Sequence, residues 1–352
     1  MGASTRVKTV GIVGAGRVGS ALGAALASAG YDIIGASGRS AAAQAHIEDL
    51  LPGTPRLRPA DVVAGAELVI FAVPDDVLAP LIAHLAESGA FRRPGERGPD
   101  ERRPGERRPR ERRPDDSRPD ELGPGEHQRG PQVVAHTSGA HGVGVLHPAV
   151  AQGARPLALH PAMTFTGRTD DLARLKAGIS FGVTAPADVR PLAETLVRDL
   201  GGTPEWIPEQ SRALYHTALA HGANHLVTLV NDALDRLRDA GVRHPERVLD
   251  PLLHAALDNA LQLGDAALTG PVSRGDAGTV SRHLDVLAST APDALPAYLA
   301  LARRTADRAI AAGRLGGAEA APLLDALADA GYRSDDVPAP GTAGRGGKEP
   351  VA

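Results

Sequence analysis

Short apolar runs alternate with helix-like segments through the first two thirds of this sequence. The runs occupy residues 7–13, 31–36, 67–73, 132–135, 155–159, 179–184 and 204–207. Several of them are apolar throughout, which is typical of parallel strands buried on both faces. Helical patterns lie between them, at 41–50 and 187–200 for example. Alternating strands and helices predict an α/β fold with a doubly wound parallel sheet.

From Glu209 onward the pattern changes to helical periodicity without a strand signal. The predicted helices span 209–240, 244–263, 277–288, 293–312 and 317–330. A series of amphipathic helices buries its apolar stripes by packing together. We therefore place a first domain at 1–208 and an all-α second domain at 209–331.

Two segments cannot contribute to either core. Residues 91–131 consist almost entirely of Arg, Pro, Gly, Glu and Asp, and residues 332–352 are rich in Gly, Pro and charge. Such segments bury too little apolar surface to offset the entropy of ordering. They are predicted to be a disordered insertion and a disordered tail.

The amino-acid composition argues against several classes of function. The chain has 352 residues, 42% of them hydrophobic, a net charge of −4 and no cysteine. The charge gives no reason to expect nucleic acid or an anionic membrane as a partner. Without cysteine there is no disulfide or thiolate chemistry. No signal-peptide pattern or membrane-length apolar run is present, so we expect a cytoplasmic protein.

The first strand leads into Gly14-x-Gly16-x-x-Gly19, and a helical pattern follows at once. In this setting Gly14 allows a tight turn, Gly16 lets the backbone approach a pyrophosphate, and Gly19 lets helix and strand pack closely. The helix N-terminus then attracts the phosphates. The motif predicts a Rossmann-type dinucleotide site, with Arg17 and Val18 also contacting the cofactor.

The end of the second strand indicates which dinucleotide is bound. NAD-binding proteins usually carry an acid there for the ribose 2′-hydroxyl. This chain has Ser37, Arg39 and Ser40 instead, and a guanidinium flanked by hydroxyls suits a 2′-phosphate. We therefore expect NADPH rather than NADH. The alternative is that Arg39 is a solvated loop charge.

Other strand ends carry further candidates, because ligands of open α/β sheets bind beyond the carboxyl ends of the strands. The residues expected beside the cofactor are Val73, Pro74, His136 and Thr137. Ser138 and His160 are expected beside the substrate.

A Rossmann domain followed by a helical domain suggests hydride transfer to a small substrate. Reducing a carbonyl requires a proton donor for the forming alkoxide. No lysine is available on the second domain's first helix, so the candidates are His216 as general acid and Asn224 as the group that binds the oxygen. In a regular α-helix these two lie about 80° apart and can line one groove. The alternative is a structural His216.

A glycine-containing loop in the second domain could anchor a carboxylate. Arg274 and Thr279 lie in or after it, with Thr269 before them, and Asp276 is expected to cap the next helix. Together with Asn259 these residues are candidates for substrate binding. The alternative is an ordinary helix connection. No spacing predicts a metal site.

Several motifs together resemble one bacterial family. They are the glycine fingerprint, Ala72-Val73-Pro74-Asp75, His136-Thr137-Ser138-Gly139, Leu159-His160-Pro161 with Phe165, Tyr215-His216 with Asn224, and Leu268-Thr269-Gly270-Pro271 with Arg274-Gly275-Asp276 and Thr279. The family has a Rossmann-like first half and a second half labelled domain of unknown function 2520. It is similar to pyrroline-5-carboxylate reductase and to hydroxyacid dehydrogenases, and some members are ketopantoate reductases.

The resemblance implies NADPH-dependent reduction of 2-dehydropantoate to pantoate. It covers roughly residues 8–331 apart from the insertion. Two other interpretations stay open: an imine reductase of the pyrroline-carboxylate kind, which needs no strong acid, and a protein that senses NADPH without turnover. The helical domain also predicts a homodimer.

Overall fold

The computed structural model describes residues 7–92 and 130–335. The chain divides into two compact units, of which the first ends at Ala223 and the second begins at Asn224. The predicted disorder at 91–131 and 332–352 lies almost wholly outside the described residues, and the domain limits drawn from the sequence stay a prediction. Within the described ranges, none of the helices combines the length and apolar character that a membrane span needs.

Among the described residues of the first unit, seven strands form a single sheet. They are β1 (Thr9–Val13), β2 (Asp32–Ser37), β3 (Leu68–Phe71), β4 (Val133–His136), β5 (Arg155–Pro161), β6 (Ser180–Thr184) and β7 (Thr203–Trp206). Their order is β2-β1-β3-β4-β5-β6-β7. The predicted doubly wound sheet is confirmed. It is mostly parallel, because only the β5–β6 pair is antiparallel.

The helices of the first unit lie between these strands, except for the last one, which follows β7. They are α1 (Arg17–Ser28), α2 (Ala41–Leu50), α3 (Pro59–Gly65), α4 (Asp75–Glu87), α5 (His147–Val150), α6 (Asp170–Lys176), α7 (Arg190–Asp199) and α8 (Arg212–Leu219). The sequence pattern did not reveal α3 and α5. With seven and four residues, neither is long enough to show a helical period.

Strand β3 shows why its sequence is continuously apolar. Leu68 and Ile70 belong to one hydrophobic cluster, whereas Val69 and Phe71 belong to another. Successive side chains of a strand point to opposite faces of the sheet. All four residues are therefore buried, between two separate cores.

The second unit is helical, as predicted. Its helices are α9 (His225–Asp239), α10 (Pro245–Leu263), α11 (Ala277–Thr290), α12 (Leu295–Ala311) and α13 (Gly317–Asp335). The core of this unit comes mainly from α11, α12 and α13. By contrast, α9 contains no buried residue, and in α10 only Pro245 and Leu249 are buried.

The long helix predicted at 209–240 is interrupted. A 3₁₀ turn, Glu209–Ser211, precedes α8, and a π-helical turn, Ala220–Asn224, separates α8 from α9. A π turn contains more residues than an α turn. The expected separation of about 80° between His216 and Asn224 assumed a regular α-helix. The helix is not regular between them, so that value does not apply, and their roles stay predictions.

Candidate functional site

The glycine loop between β1 and α1 forms the turn that the sequence predicts. Gly14 has a φ of 93°, a conformation in which other residues are strained. Its N–H and that of Ala15 donate to the carbonyl oxygen of Ser37, over 3.1 and 2.7 Å. The loop is thereby fixed between the ends of β1 and β2.

The other two glycines of the motif differ in their surroundings. A Cβ at Gly19 would collide with the carbonyl oxygen of Gly14 and lie 3.1 Å from the Cβ of Ala72, so the predicted close packing is confirmed. A Cβ at Gly16 would meet nothing within 4 Å. The protein therefore leaves open the space that a pyrophosphate would need beside this backbone.

The N-terminus of α1 adds to this cradle. No side chain caps it, and its first turn contains no acidic residue. The first N–H groups of a helix lack intrahelical acceptors, and the helix dipole favours anions there. Arg17 is exposed and Val18 is half-buried at this end. These residues could hold the phosphates of a dinucleotide.

The loop after β2 contains the residues expected to recognise the ribose. Arg39 is exposed, so its guanidinium is accessible to a ligand. Ser37 is buried, and its carbonyl already serves the glycine loop. The Ser40 hydroxyl oxygen caps α2 by accepting from the N–H of Ala43 over 3.1 Å. Of these three residues, Arg39 has an exposed cationic side chain, and Ser40 could contribute only as a donor. Recognition of a 2′-phosphate stays a prediction.

The remaining first-unit candidates lie at one edge of the sheet. Strands β3, β4 and β5 are parallel neighbours, with Phe71 paired to His136 and His136 paired to Ala158. Their carboxyl ends therefore lie side by side, next to the glycine loop that follows β1. The residues brought together in this way are Val73, Pro74, His136, Thr137, Ser138 and His160.

His136 and Ser138 shape the loop that follows β4. The buried His136 ring donates from Nε2 to the carbonyl oxygen of Gly142 over 2.8 Å. Burial lowers the pKa of His136 to about 4, so the ring is neutral at pH 7. The Ser138 hydroxyl oxygen accepts from the N–H groups of Ala140 and His141, over 3.2 and 3.1 Å. Ligand contacts of both residues stay predictions.

The segment that contains α8 faces this loop. Glu209, Arg212 and Tyr215 follow one another at intervals of three residues, and His216 is next to Tyr215. Residues at such intervals share one face of a helix. One helical segment therefore presents an acid, a guanidinium, a phenol and an imidazole together.

Glu209 holds the loop at one point. Its carboxylate oxygens accept from the N–H groups of Val143 and Gly144, over 2.8 and 2.9 Å. A Cβ at Gly142 would collide with this carboxylate. The close approach of the acid therefore explains the glycine.

Arg212 is buried, with an exposed fraction of 1%. It donates from Nε to the carbonyl oxygen of His141 over 2.9 Å, from Nη1 to that of Gly182 over 3.0 Å, and from Nη2 to that of Ser138 over 2.5 Å. Burial lowers the pKa of Arg212, but a guanidinium stays protonated in proteins. The positive charge of Arg212 is thus held next to the site by three uncharged carbonyl oxygens.

The aromatic rings of His160, Tyr215 and His216 lie close together near the Arg212 guanidinium. His160 Nδ1 lies 2.9 Å from the Tyr215 hydroxyl oxygen, and the His160 and His216 ring centroids are 6.2 Å apart, edge to face. Two glycines make room for them. A Cβ at Gly139 would lie 2.6 Å from His216 Cδ2, and one at Gly182 would lie 2.5 Å from the Tyr215 hydroxyl oxygen. The predicted His160 and His216 are therefore neighbours.

Burial and the guanidinium determine the charge of two of the rings. The pKa of His160 falls to about 4, first because of burial and then because of Arg212. Burial raises the pKa of Tyr215. Both side chains are therefore neutral at pH 7.

Sequence reasoning did not find Glu209 and Arg212. An arginine is rarely fully buried, so composition and periodicity suggest a solvated position. The three-residue spacing from Glu209 to Tyr215, leading to His216, could have indicated a single functional face.

The other predicted substrate residues belong to the second unit. Four of them are exposed: Asn224, Asn259, Thr269 and Arg274. Arg274 ends a 3₁₀ turn and is followed by Gly275, which has a φ of 72°.

The predicted helix cap at Asp276 is confirmed. The Asp276 carboxylate accepts from the N–H of Thr279 over 3.0 Å, while the Thr279 hydroxyl oxygen accepts from Arg282 over 2.8 Å. The substrate-binding roles of all five second-unit residues stay predictions. Across residues 7–92 and 130–335, no group of three or more His, Asp or Glu side chains is arranged to hold a metal ion.

Two family profiles match the chain. A Rossmann-like domain matches residues 3–96 and 119–161, and a domain of unknown function, DUF2520, matches residues 179–305. The chain therefore belongs to the Rossmann-like proteins that carry DUF2520, the family that its motifs resemble. No curated protein matches it.

Solved structures share the fold. A candidate NADP oxidoreductase from Bacteroides fragilis is 19% identical over 85% of this chain and 98% of its own, with a TM-score of 0.62. An imine reductase variant from Myxococcus stipitatus in complex with NAD⁺ is 15% identical over 91% and 99%, with a TM-score of 0.53. A 1-pyrroline-5-carboxylate reductase from Streptococcus pyogenes is 14% identical over 87% and 99%, with a TM-score of 0.51. At these identities the likeness shows the fold.

Because Gly16 and Gly19 differ in their surroundings, replacing each by alanine should have a different effect. Gly19→Ala should lower the free energy of unfolding by about 1–3 kcal/mol, because its methyl group overlaps the Gly14 carbonyl. Gly16→Ala should leave thermal unfolding unchanged yet weaken the binding of a nicotinamide dinucleotide, because its methyl group enters the open space of the cradle. Thermal denaturation and isothermal titration calorimetry measure the two effects. Unchanged dinucleotide affinity in folded Gly16→Ala would contradict the assignment of the cradle to the pyrophosphate.

Proposed function

We propose that this protein is an NADPH-dependent oxidoreductase that reduces a small 2-oxoacid. The observation that carries the proposal is that an open glycine cradle and a cluster of ionisable rings lie at one edge of the same sheet. The cradle fits a dinucleotide, and the rings fit the reduction of a carbonyl group. The names of the structural neighbours support the same class. They are a candidate NADP oxidoreductase, an imine reductase in complex with NAD⁺ and a 1-pyrroline-5-carboxylate reductase.

The residues present fit this cofactor, because the space beside Gly16 is open and the first turn of α1 lacks acids. The pyrophosphate would be held by the glycine loop and the start of α1, at Gly14, Gly16, Arg17 and Gly19. The 2′-phosphate would be held by Arg39. When bound, the nicotinamide supplies the hydride for the carbonyl carbon. The chain's own part is to bind, to orient and to supply a proton.

The buried Arg212 favours a 2-oxoacid over an imine. A carbonyl oxygen becomes negative as hydride arrives, and a fixed positive charge stabilises it. A protonated imine is positive at the start, so the same guanidinium disfavours its binding. His216, beside His160 and partly exposed, is the side chain that we propose to protonate the forming alkoxide.

Within the 2-oxoacids we propose 2-dehydropantoate, reduced to pantoate. This choice rests on the match to DUF2520 and on the motifs that resemble a family in which some members are ketopantoate reductases. Imine reduction is the second candidate, favoured by the fold shared with the Myxococcus enzyme. An NADPH sensor would bind the cofactor without turning over either class.

The cofactor preference can be measured with one substitution. Arg39→Ala should weaken NADPH at least about tenfold, the scale of one lost phosphate–guanidinium contact, while NADH affinity stays unchanged. Arg17→Ala is the matched control, since a pyrophosphate contact should affect both dinucleotides alike. Fluorescence titration with each cofactor gives the dissociation constants. Equal weakening of NADPH and NADH by Arg39→Ala would contradict recognition of the 2′-phosphate.

The reaction can be assigned from NADPH oxidation against a panel of 2-oxoacids and cyclic imines. On the best 2-oxoacid, His216→Ala should lower kcat about 10²–10⁴-fold, the usual scale of a lost general acid. Arg274→Ala changes a residue predicted from the sequence to bind the substrate carboxylate. It should mainly raise KM, because such a contact would be made before and during reaction. The exposed His254 on α10 provides the control, since His254→Ala should leave both constants unchanged. Turnover of imines alone, with His216→Ala active, would favour the second candidate.

We also propose that the second unit forms a homodimer through α9 and α10. These helices carry eight exposed apolar side chains, distributed around both helices: Leu226, Val227, Leu229, Val248, Leu252, Leu257, Leu261 and Leu263. Two helices of this length span about 25 Å by about 20 Å, a face of the same order as the roughly 800 Å² that each partner contributes to a stable interface. Symmetric pairing of identical chains is the commonest way to cover such a face.

Light scattering on the purified protein tests this pairing. The wild type should have twice the mass of one chain, and the double variant Leu257→Glu/Leu261→Glu should be monomeric. Val286 on α11 is likewise exposed, so Val286→Glu should remain dimeric. A monomeric wild type, or loss of the dimer in Val286→Glu alone, would contradict the assignment to α9 and α10.

A further inference from the structure

The contact between His160 and Tyr215 limits the protonation state of the histidine. The Tyr215 hydroxyl oxygen lies 2.9 Å from His160 Nδ1. In the part of the chain that the structure describes, this is the acceptor within reach of the phenol O–H. A phenol that keeps its proton needs such an acceptor when it is half-buried. If Tyr215 donates to Nδ1, the single proton of a neutral imidazole resides on Nε2.

The surroundings oppose a second proton on this ring. The ionisable groups that face His160 are Arg212 and His216 from the α8 segment, His136 from β4 and Asp75 from α4. Burial and the Arg212 guanidinium lower the pKa of His160 more than the Asp75 carboxylate raises it. A cationic imidazole there would place a second positive charge beside a buried one.

The position of Nε2 indicates what its proton can reach. The Gly139 backbone lies close to this atom, because a Cβ built at Gly139 would lie 3.0 Å from Nε2 and 2.6 Å from His216 Cδ2. His160 is only partly buried. Among the described residues no hydrogen-bond partner occupies Nε2, while Nδ1 is bonded to Tyr215. Nε2 is also not completely buried. The ring therefore presents an accessible N–H beside His216.

We propose that His160 is a neutral hydrogen-bond donor to the substrate oxygen through Nε2–H, and that Tyr215 is the positioning residue that fixes this tautomer. The role rests on the proposed carbonyl reduction, in which His160 stabilises the oxygen and His216 delivers the proton. A neutral imidazole can polarise a carbonyl without itself transferring a proton. Arg212 serves both rings by holding the loop and by keeping His160 uncharged.

The tautomer can be observed without any substrate. Long-range proton–nitrogen NMR on the full chain with ¹⁵N-labelled histidine distinguishes the three imidazole forms, and His160→Gln identifies the signal. We expect the neutral Nε2–H form of His160 from about pH 6 to pH 8, a range in which an unperturbed histidine would change charge. Tyr215→Phe should shift the signal toward a mixture of tautomers. A wild-type His160 that is Nδ1-protonated, or cationic near pH 7, would overturn the proposal.

The second unit provides a matched control for the lost hydroxyl. Tyr298 and His283 repeat the contact, with a hydroxyl-to-Nδ1 distance of 2.9 Å and edge-to-face rings. Tyr298→Phe removes the same kind of hydrogen bond and should leave kcat unchanged. Tyr215→Phe should lower kcat about tenfold, with NADPH affinity retained.

Substitutions of His160 separate donation from packing. His160→Leu should lower kcat about 10²-fold, the scale of one lost donor to an oxyanion, and His160→Gln should recover part of it because it keeps an N–H. Equal kcat in wild type and Tyr215→Phe would overturn the positioning role. The expected tautomer in a protein that reduces no carbonyl would instead count against the proposed function.

Discussion

The candidate site depends on one buried guanidinium. Arg212 connects the loop after β4 to strand β6 through three carbonyl oxygens, and it originates from α8. Three segments that are distant in sequence are thus held by one side chain. Hydrogen bonds that involve a charged donor are the stronger kind. Removing the guanidinium would leave buried carbonyl oxygens unsatisfied, which costs more than the net value of the bonds themselves.

The same charge determines what the rings above it can do. It favours a neutral His160 and a developing negative charge, and it disfavours a cationic ligand. Glycines at 139, 142 and 182 allow the α8 segment to approach, because any side chain at these positions would overlap His216, Glu209 or Tyr215. Packing and electrostatics therefore act through the same few contacts.

The parallel arrangement of β1, β3, β4 and β5 explains why the cradle and the rings lie at one edge. Strands that run in the same direction present their carboxyl ends together, so the loops that follow them become neighbours although they are far apart in the chain. The glycine loop provides backbone N–H groups and open space, and the ring cluster provides ionisable side chains. The proposed NAD(P)-dependent reduction rests on these two features together.

The sequence by itself determined the strands, most helices, the Asp276 cap and the geometry of Gly14 and Gly19, because each depends on local periodicity or on backbone conformation. It also placed His160 and His216 at strand and helix positions where chemistry is expected. Tertiary structure decided the rest: the reversed direction of β6 and β7, the π turn at Ala220–Asn224, and the burial of Arg212. No local pattern reveals which distant carbonyls will surround an arginine. Long-range contacts alone turned a residue typical of the surface into the charge that organises the site.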